Sequence, residues 1–481
     1  MSILVVDVGT SSVRAAIVRP DATVEQVRRR SLPPSVPMPG LVEFDPAAMA
    51  TAVLETAREA LAAGGPVEAV GITAQRASAI AWDSNTGQPL GPGLGWQDLR
   101  TVGTCLELQA EGIRFSPSES ATKFAWLLDQ LAPEQRENAK LGTVDSWIAW
   151  TLSGGRLHIT DPSNAGVTGL YSTDGSGWHK ALTERLGISL SALPQVVDST
   201  GNLGTAGELA GELPICSLIG DQQGSLAGQG CTKAGLAKVT FGTGAMLDVC
   251  TGDARPSFAT RGRGGCFPII AWTRKGKPTW GVEAIMLAAG TAVDWMVEDL
   301  GILSSAADSE TVAAQCDDTG GVVAVPALLG YGTPQWDFGA RGAVFGLTRG
   351  SGKPELVRAV LEGIAHSGAD LLEAAERDAE LNVEHLRVDG GMSANVVFVQ
   401  ALADACDRPM EISRELEATT LGAGLLAGLT TGAWSGFDDI AATWKPRAVI
   451  EPSGRPSNRD RWRAATEKAA RWYPELSELG F

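Results

Sequence analysis

Cationic side chains are scarce in this chain. Its 481 residues carry 39 Lys and Arg against 56 Asp and Glu, a formal charge of −17. Nucleic acid and anionic membrane surfaces are held by clustered Lys and Arg, so neither is an expected partner. An anionic small molecule held by backbone N–H groups is not excluded. Cysteine is sparse as well: seven residues, at 105, 216, 231, 250, 266, 316 and 406, with no C-x-x-C spacing and only four His. Zinc cages and disulfide frameworks need more, and reduced thiols in a cytoplasmic protein are the expectation. The four His, at 158, 179, 366 and 385, are scattered and read as ordinary surface or core residues. No apolar run approaches the roughly 18 residues of a membrane span. The first apolar stretch, Ile3 to Val6, is short and lacks a basic flank, so no secretory leader is expected. Neither a G-x-G-x-x-G after a strand nor a G-x-x-x-x-G-K-[ST] loop occurs, which removes the Rossmann and P-loop routes to a nucleotide.

What is present is alternation of strands and helices, the mark of an α/β protein. Ile3–Val8 reads as a buried strand, turned at GTSS (9–12) into a second strand, Val13–Val18. Pro46–Ala63 reads as an amphipathic helix, Val67–Gln75 as a strand, and Ala79–Trp82 as the start of a hairpin turned at Asn85–Gly87. Ile215–Gly220 is a short apolar strand, and Asp221 opens a small-residue helix. The pattern then restarts: Lys238–Phe241, a Gly242–Gly244 turn, and Ala245–Cys250 form another hairpin. Segments 6–18 (VDVGTSSVRAAIV) and 239–251 (VTFGTGAMLDVCT) both carry Gly-Thr at the tip, about half a chain apart. A duplicated core explains this, and so does the ordinary preference of hairpin tips for Gly and Thr. Glu355–Arg377 is a long helix with Leu356, Val360, Ile364 and Leu371 on one face. A strand at Leu386–Asp389, helices at Asn395–Cys406 and Thr419–Ala427, and the absence of a low-complexity linker complete the reading. The two expected domains are 1–232 and 233–481, joined by a short connection near 230–236.

The chemistry rests on a few residues. Two Gly-Thr hairpins can clamp a polyphosphate, their successive N–H groups forming an anion nest, with Thr10, Ser11 and Thr243 hydroxyls adding hydrogen bonds. Asp7 ends a buried strand and needs a partner, which Mg²⁺ on a phosphate would supply and neighbouring backbone donors would supply equally. Asp221 stands where a strand meets a helix, which suits an N-cap and also a fixed, ionised general base. Phosphoryl transfer asks for a base at the acceptor hydroxyl and a cation on the phosphates, and Asp221 and Asp7 fit those roles. DGGMSAN (389–395) is a strand–glycine–helix turn on which a flat ring can lie, or a turn that only packs a helix.

Ten segments in order resemble the FGGY carbohydrate kinase family, nearest its glycerol kinase branch. They are DVGTSSVRA (7–15), GITAQRAS (71–78), GWQDLRT (95–101), GTVDSWIAWTLSGG (142–155), HITDPSNA (158–165), GDQQGSLAGQ (220–229), TFGTGAML (240–247), QWDFGARGAVFGLTRG (335–350), RVDGGMSAN (387–395) and TTLGAGLLAG (419–428). The resemblance implies a duplicated ribonuclease-H-like fold of the actin and hexokinase type, with a cleft between two lobes. It implies ATP and Mg²⁺ as cofactors and a small polyol or sugar as substrate, and it allows a homodimer as the working form. By the same resemblance, Thr10, Ser11 and Arg14 match the first phosphate element and Thr243 the second. Gly290, Asp294, Gly391 and Asn395 match the nucleotide site, Asp7 the acid associated with Mg²⁺, and Asp221 the catalytic base. Arg76, Trp96 and Gln222 match positions that hold the polyol.

Three departures bear on the acceptor. Ala77 stands where the glycerol kinase branch has a carboxylate, Ser118 where an aromatic is expected, and Met246 where a Phe is expected. All three remove bulk, hydrogen-bonding capacity or both. A four- or five-carbon polyol or a ketose such as xylulose is therefore expected over glycerol, since losing a hydrogen-bonding partner can shift discrimination by orders of magnitude. Glycerol itself remains the alternative, and a non-catalytic nucleotide-dependent binder a second one. Asp337 and Arg341 are expected to form a structural ion pair behind the cleft.

Overall fold

The computed structural model describes residues 1–480. One 13-stranded sheet runs through it. Its strands are β1 (Ile3–Val8), β2 (Ser12–Val18), β3 (Val24–Ser31), β4 (Ala69–Ala74), β5 (Thr200–Ala206), β6 (Leu213–Gly220), β7 (Ala237–Phe241), β8 (Ala245–Gly252), β9 (Phe267–Arg274), β10 (Lys277–Met286), β11 (Leu386–Asp389), β12 (Met410–Ile412) and β13 (Ala448–Ile450). The helices that matter here are α1 (Pro46–Gly64), α2 (Asp221–Gly228), α3 (Gly290–Glu298), α4 (Lys353–Ala379), α5 (Val396–Cys406) and α6 (Ala418–Thr431).

The sheet is two copies of one pattern. The first half runs β6-β4-β1-β2-β3 and the second β12-β11-β7-β8-β10. In each, a leading strand pairs antiparallel with its hairpin partner and parallel with a later strand: β1 with β2 and β4, β7 with β8 and β11. The halves meet in the sheet only through the Thr200–Arg274 bridge of β5 and β9. β1 is buried along its whole length, as a central strand covered on both faces must be, which is why ILVVDV is a nearly unbroken apolar run.

Local chemistry fixes the covering helices. Asp45 accepts from the Ala47 and Ala48 amides at 2.8 and 3.1 Å and Pro46 occupies the first turn, so α1 starts where a side-chain cap and a preset φ coincide. Met49, Val53, Ala57 and Ala60 then recur at helical spacing and pack onto the first-half core with Leu4, Val6 and Ile72. α4 does the same for the second half through Val357, Leu361, Ile364 and Leu372. A third core joins the halves, with Ile3, Val5 and Val18 against Leu421, Leu425 and Trp434.

Helices α2 and α6 cross at van der Waals distance. A Cβ on Gly422 would lie 1.8 Å from the Gly224 carbonyl oxygen, and one on Gly228 would lie 1.9 Å from that of Ala418. Any side chain there would push the lobes apart, so the small-residue helix expected at 419–427 is small for this reason. The hairpin expected from Ala79–Trp82 forms: Gly87 N donates to Asp83 O at 2.8 Å, Asp83 N to Gln88 O at 2.9 Å and Leu90 N to Ala81 O at 2.9 Å. Ile80–Asp83 also pairs with a strand the sequence reading did not connect to it, Ala139–Gly142. A local turn signal carries no information about a distant strand.

Candidate active site

Asp221 lies at the first helical position of α2, not at its cap. Gly220 holds the cap conformation, with φ −65° and ψ 150°. A capping Asp would fold back over the helix end. Here the carboxylate accepts only from the adjacent Gln222 amide, at 2.8 Å, and 29% of its side chain stays open. Arg76 Nε approaches it at 3.4 Å from the end of β4. Burial raises the Asp221 carboxyl above its ordinary value, and Arg76 pulls it back. A fixed, partly desolvated carboxylate beside a guanidinium is suited to taking a proton from a hydroxyl.

Arg76 connects the two halves. Its Nη2 donates to Glu283 Oε2 at 2.7 Å, on β10, while Nη1 has no partner and is buried. Beside it, Gln222 Oε1 accepts from Lys238 Nζ at 2.7 Å, and Lys238 pairs with Asp248 at 2.7 Å with both side chains fully buried. Residues 238, 248, 283 and 267 are cross-strand partners on β7, β8, β10 and β9, so they form one row across the second-half sheet. Burial drives the Asp248 carboxyl up to about 7 against the pull of Lys238. Met246 is two residues along the same strand face, opposite Ile285.

The segments carrying Ala77 and Ser118 are tied together by one buried amine. Lys123 Nζ donates to the carbonyls of Ala77, at 3.2 Å, and Ser118, at 2.9 Å. Ala77 has φ +58°, a left-handed conformation that an L residue tolerates at a cost. Ser118 Oγ pairs with Ser116 Oγ at 2.8 Å. Trp96 is half-buried, and its Nε1 donates to Thr10 Oγ1 at 3.2 Å, linking the expected acceptor wall to the first hairpin tip.

At that hairpin, Gly9 N donates to Ser12 O at 3.1 Å and leaves Thr10 and Ser11 at the tip. Asp7 faces Arg14 across the β1–β2 ladder. Asp7 Oδ2 accepts from Thr420 Oγ1 at 2.9 Å, and Arg14 pairs with Glu417, so the start of α6 in the second half closes over both. Burial raises the Asp7 carboxyl, Arg14 opposes that, and the charge of Asp221 adds to it. Mutual repulsion of two carboxylates is what a divalent cation between them and a phosphate would relieve. Among the described residues no group of three or more His, Cys, Asp or Glu could cage a metal by itself. Such a cation would take its remaining ligands from phosphate and water, the usual habit of Mg²⁺.

The second hairpin exposes Gly242 and Thr243 at its tip. The Gly242 carbonyl accepts from Gly290 N at 2.9 Å and the Thr243 carbonyl from Ala289 N at 2.9 Å, which seats the tip on the start of α3. A Cβ on Gly290 would lie 2.6 Å from that Gly242 oxygen. Asp294 is exposed one turn further along α3. Gly391 is exposed with open space where a Cβ would be. Asn395 differs from its expected availability. Its Oδ1 caps α5 through Phe398 N at 2.9 Å and its Nδ2 donates to Ser309 at 3.1 Å, so its amide is already engaged.

Asp337 and Arg341 do not pair with each other. Asp337 accepts from the amides of Gly339, at 2.8 Å, and Arg471, at 2.7 Å, and from Ser477 Oγ at 2.5 Å, anchoring the C-terminal segment. Arg341 donates to the carbonyls of Phe338 and Ala340 and stacks on Tyr473. Sequence reading passed over Glu283, Lys238, Asp248, Glu417 and Lys123. A signal existed for the first three: each is a charge inside a strand whose neighbours are apolar.

Two family models match the chain: the N-terminal domain of the FGGY family of carbohydrate kinases over residues 2–228 and its C-terminal domain over 237–431. A glycerol kinase of Aromatoleum aromaticum is 39% identical over 98% of this chain and 99% of its own. Glycerol kinase 2 of Thermotoga maritima is 37% identical, covering 98% of this chain and 99% of its own. Among solved structures, Plasmodium falciparum glycerol kinase with ADP superposes at a TM-score of 0.89, with 27% identity over 97% of this chain and 98% of that one. A Brucella ovis xylulose kinase superposes at 0.86, with 24% identity over the whole of both chains. With both of its halves matched in order on the duplicated sheet, the chain belongs to the FGGY family of carbohydrate kinases.

Proposed function

We propose that this protein transfers the γ-phosphoryl group of ATP to a hydroxyl of a small polyol or sugar. The observation that carries this reading is the Asp221 carboxylate, lifted off its helix cap, braced by Arg76 and open at the junction of the halves. Asp221 takes the proton as the acceptor oxygen bonds to the γ-phosphorus and the bond to the β-phosphate oxygen breaks, leaving ADP. Arg76 Nη1 and the free amide of Gln222 donate to and orient the acceptor, whose carbons lie on Trp96 and Met246. Thr10, Ser11, Arg14 and Thr243 surround the phosphates, and Gly290, Asp294, Gly391 and the Asn395 turn border the nucleoside. Asp7 would hold Mg²⁺, which would supply charge neutralisation on the transferring group. The working lobes are 1–232 and 233–481, and the compartment is the cytoplasm.

A four- or five-carbon polyol or ketose is favoured as acceptor. Ala77, Ser118 and Met246 together open the acceptor wall, and the Lys123 clamp holds the first two segments by their backbones rather than by side chains that would narrow the site. Glycerol is the second reading, favoured by the names of the relatives. The test is ADP release from ATP with glycerol, erythritol, xylitol and D-xylulose. Turnover with none of them would overturn the kinase reading; a higher kcat/KM for glycerol than for the longer acceptors would overturn the preference alone.

A further inference from the structure

Thr10 and Trp96 stand on separate supports and meet in one hydrogen bond. Trp96 comes from the turn 95–98, closed by Asp98 N donating to Gly95 O at 3.1 Å. Asp98 is fully buried, and its carboxylate accepts from Val42 N at 2.6 Å and from Arg100 Nε and Nη2 at 2.8 Å each. Gly95 N donates to Val42 O at 2.9 Å and Leu99 N to Gly40 O at 2.8 Å, so both flanks of the turn are pinned to segment 40–42. The indole is thereby presented from a fixed frame. The hairpin tip has a frame of its own: Gly9 N donates to Ser12 O at 3.1 Å and Leu32 N to Ser11 O at 2.8 Å. Between the two frames Trp96 Nε1 lies 3.2 Å from Thr10 Oγ1, and this is the one side-chain hydrogen bond of Thr10 among the described residues.

Chemistry fixes the direction of that bond. An indole N–H only donates, so Thr10 accepts with one lone pair and keeps its own proton for another group. The proton has to turn away from the indole, and a β-branched side chain has few χ1 rotamers in which to place it. Thr10 is half-buried at the tip of the hairpin assigned to the phosphates. A phosphate oxygen carries no proton to offer, so it needs the donor that the indole leaves free. We propose that Trp96 is a positioning residue for phosphoryl transfer: its N–H sets the Thr10 hydroxyl so that the hydroxyl donates to a phosphate oxygen of ATP. A donor set in advance needs no reorientation as charge develops on the transferring group. The proposal rests on the polyol kinase reading, and it gives the indole nitrogen a task separate from the ring's contact with acceptor carbons.

The experiment is a double-mutant cycle on the full chain, read as kcat for ADP release from MgATP with glycerol, erythritol, xylitol and D-xylulose. Trp96→Phe keeps an aromatic ring and removes the N–H; Thr10→Val keeps the shape and removes the hydroxyl. Each single variant should lower kcat about ten-fold, the size of one hydrogen bond to a charged group. The double variant should stay within about two-fold of the slower single variant, because Trp96 then has no hydroxyl to set. In a Thr10→Ser background, which keeps the hydroxyl, Trp96→Phe should again cost about ten-fold. A loss of acceptor wall in Trp96→Phe raises acceptor KM equally in every background and lies outside the cycle. Losses that multiply in the double variant, or a wild-type kcat in Trp96→Phe, would overturn the proposal. A wild type that turns over no acceptor defeats the kinase reading. The same cycle on MgATP affinity, read by calorimetry, then decides the pair: non-additive losses support it, and additive or absent losses overturn it. Should Thr10→Val not fold, Thr10→Ala takes its place.

Discussion

Arg76 and Glu283 meet at 2.7 Å across the junction of the two halves, one at the end of β4 and the other on β10. Glu283 is nearly inaccessible, so this contact is the electrostatic seam of the site rather than a surface pair. Removing one member of a buried pair leaves the other charge uncompensated. Glu283→Ala is expected to destabilise the protein by about 3–5 kcal/mol in urea unfolding. Glu283→Gln keeps a hydrogen bond to Arg76 and loses less. Both should raise acceptor KM more than ATP KM, because Arg76 loses its anchor while the hairpin tips are untouched. Equal effects on the two KM values would contradict this.

Asp221→Asn tests the base directly. General-base catalysis contributes typically 10²–10⁴-fold, so kcat should fall by about that factor with ATP affinity, read by calorimetry, unchanged. Burial raises the Asp221 carboxyl. The base works only when ionised, so the acid limb of kcat/KM should lie above the pH of an ordinary exposed Asp, and activity should fall as pH drops through it. A limb at or below pH 4 would contradict the assignment.

Much of this site is legible in the sequence because backbone geometry writes it there. Gly-Thr hairpins, the strand-end Asp7 and the small residues of α2 and α6 are demanded by close approach, and close approach restricts residue choice. Asp221 and Arg76 stand next to such constrained positions. Glu283 and Glu417 were missed because their partners, Arg76 and Arg14, come from the other half of the chain, and no local pattern reports a contact across hundreds of residues. Asn395 shows the reverse failure. Its motif is legible, but the same amide serves a helix cap, and only coordinates show which use it has.

Lys238 and Asp248 form a second buried pair, and its energetics can be separated from its role. Lys238→Met strands the Asp248 carboxylate and should cost about 3–5 kcal/mol, while Lys238→Met with Asp248→Leu should recover much of it. Acceptor KM should stay high in the double variant, because Gln222 has still lost the ammonium that orients it. Recovery of both stability and KM would mean Lys238 has no part in holding Gln222.

Gly422→Ala tests the crossing of α2 and α6. The added methyl would stand 1.8 Å from the Gly224 carbonyl oxygen. Backbone on both sides has to move, and overpacking of this kind costs about 1–3 kcal/mol or more. Since α6 also supplies Thr420 to Asp7, kcat should fall alongside stability. An unchanged melting temperature would mean the helices slide apart freely.

Lys123 gives a pH signature that its neighbour Glu119 cannot mimic. Burial lowers the Lys123 ammonium from 10.5 to about 7, and burial raises the Glu119 carboxyl from 4.5 to about 7. Between about pH 7 and 10.5 the unfolded chain holds the lysine proton and the folded chain does not, so stability rises with pH by up to about 1.4 kcal/mol per unit. Between 4.5 and 7 the folded chain holds the Glu119 proton and the unfolded chain does not, so stability falls as pH rises. Lys123→Met should flatten the upper window and leave the lower one in place, measured by urea unfolding at a series of pH values. The same variant releases the Ala77 and Ser118 carbonyls, so acceptor KM should rise while ATP KM holds. A KM change without the flattened slope would mean that the amine stays charged in the fold, with the surrounding carbonyls and the Asp98 and Glu119 charges outweighing its loss of water.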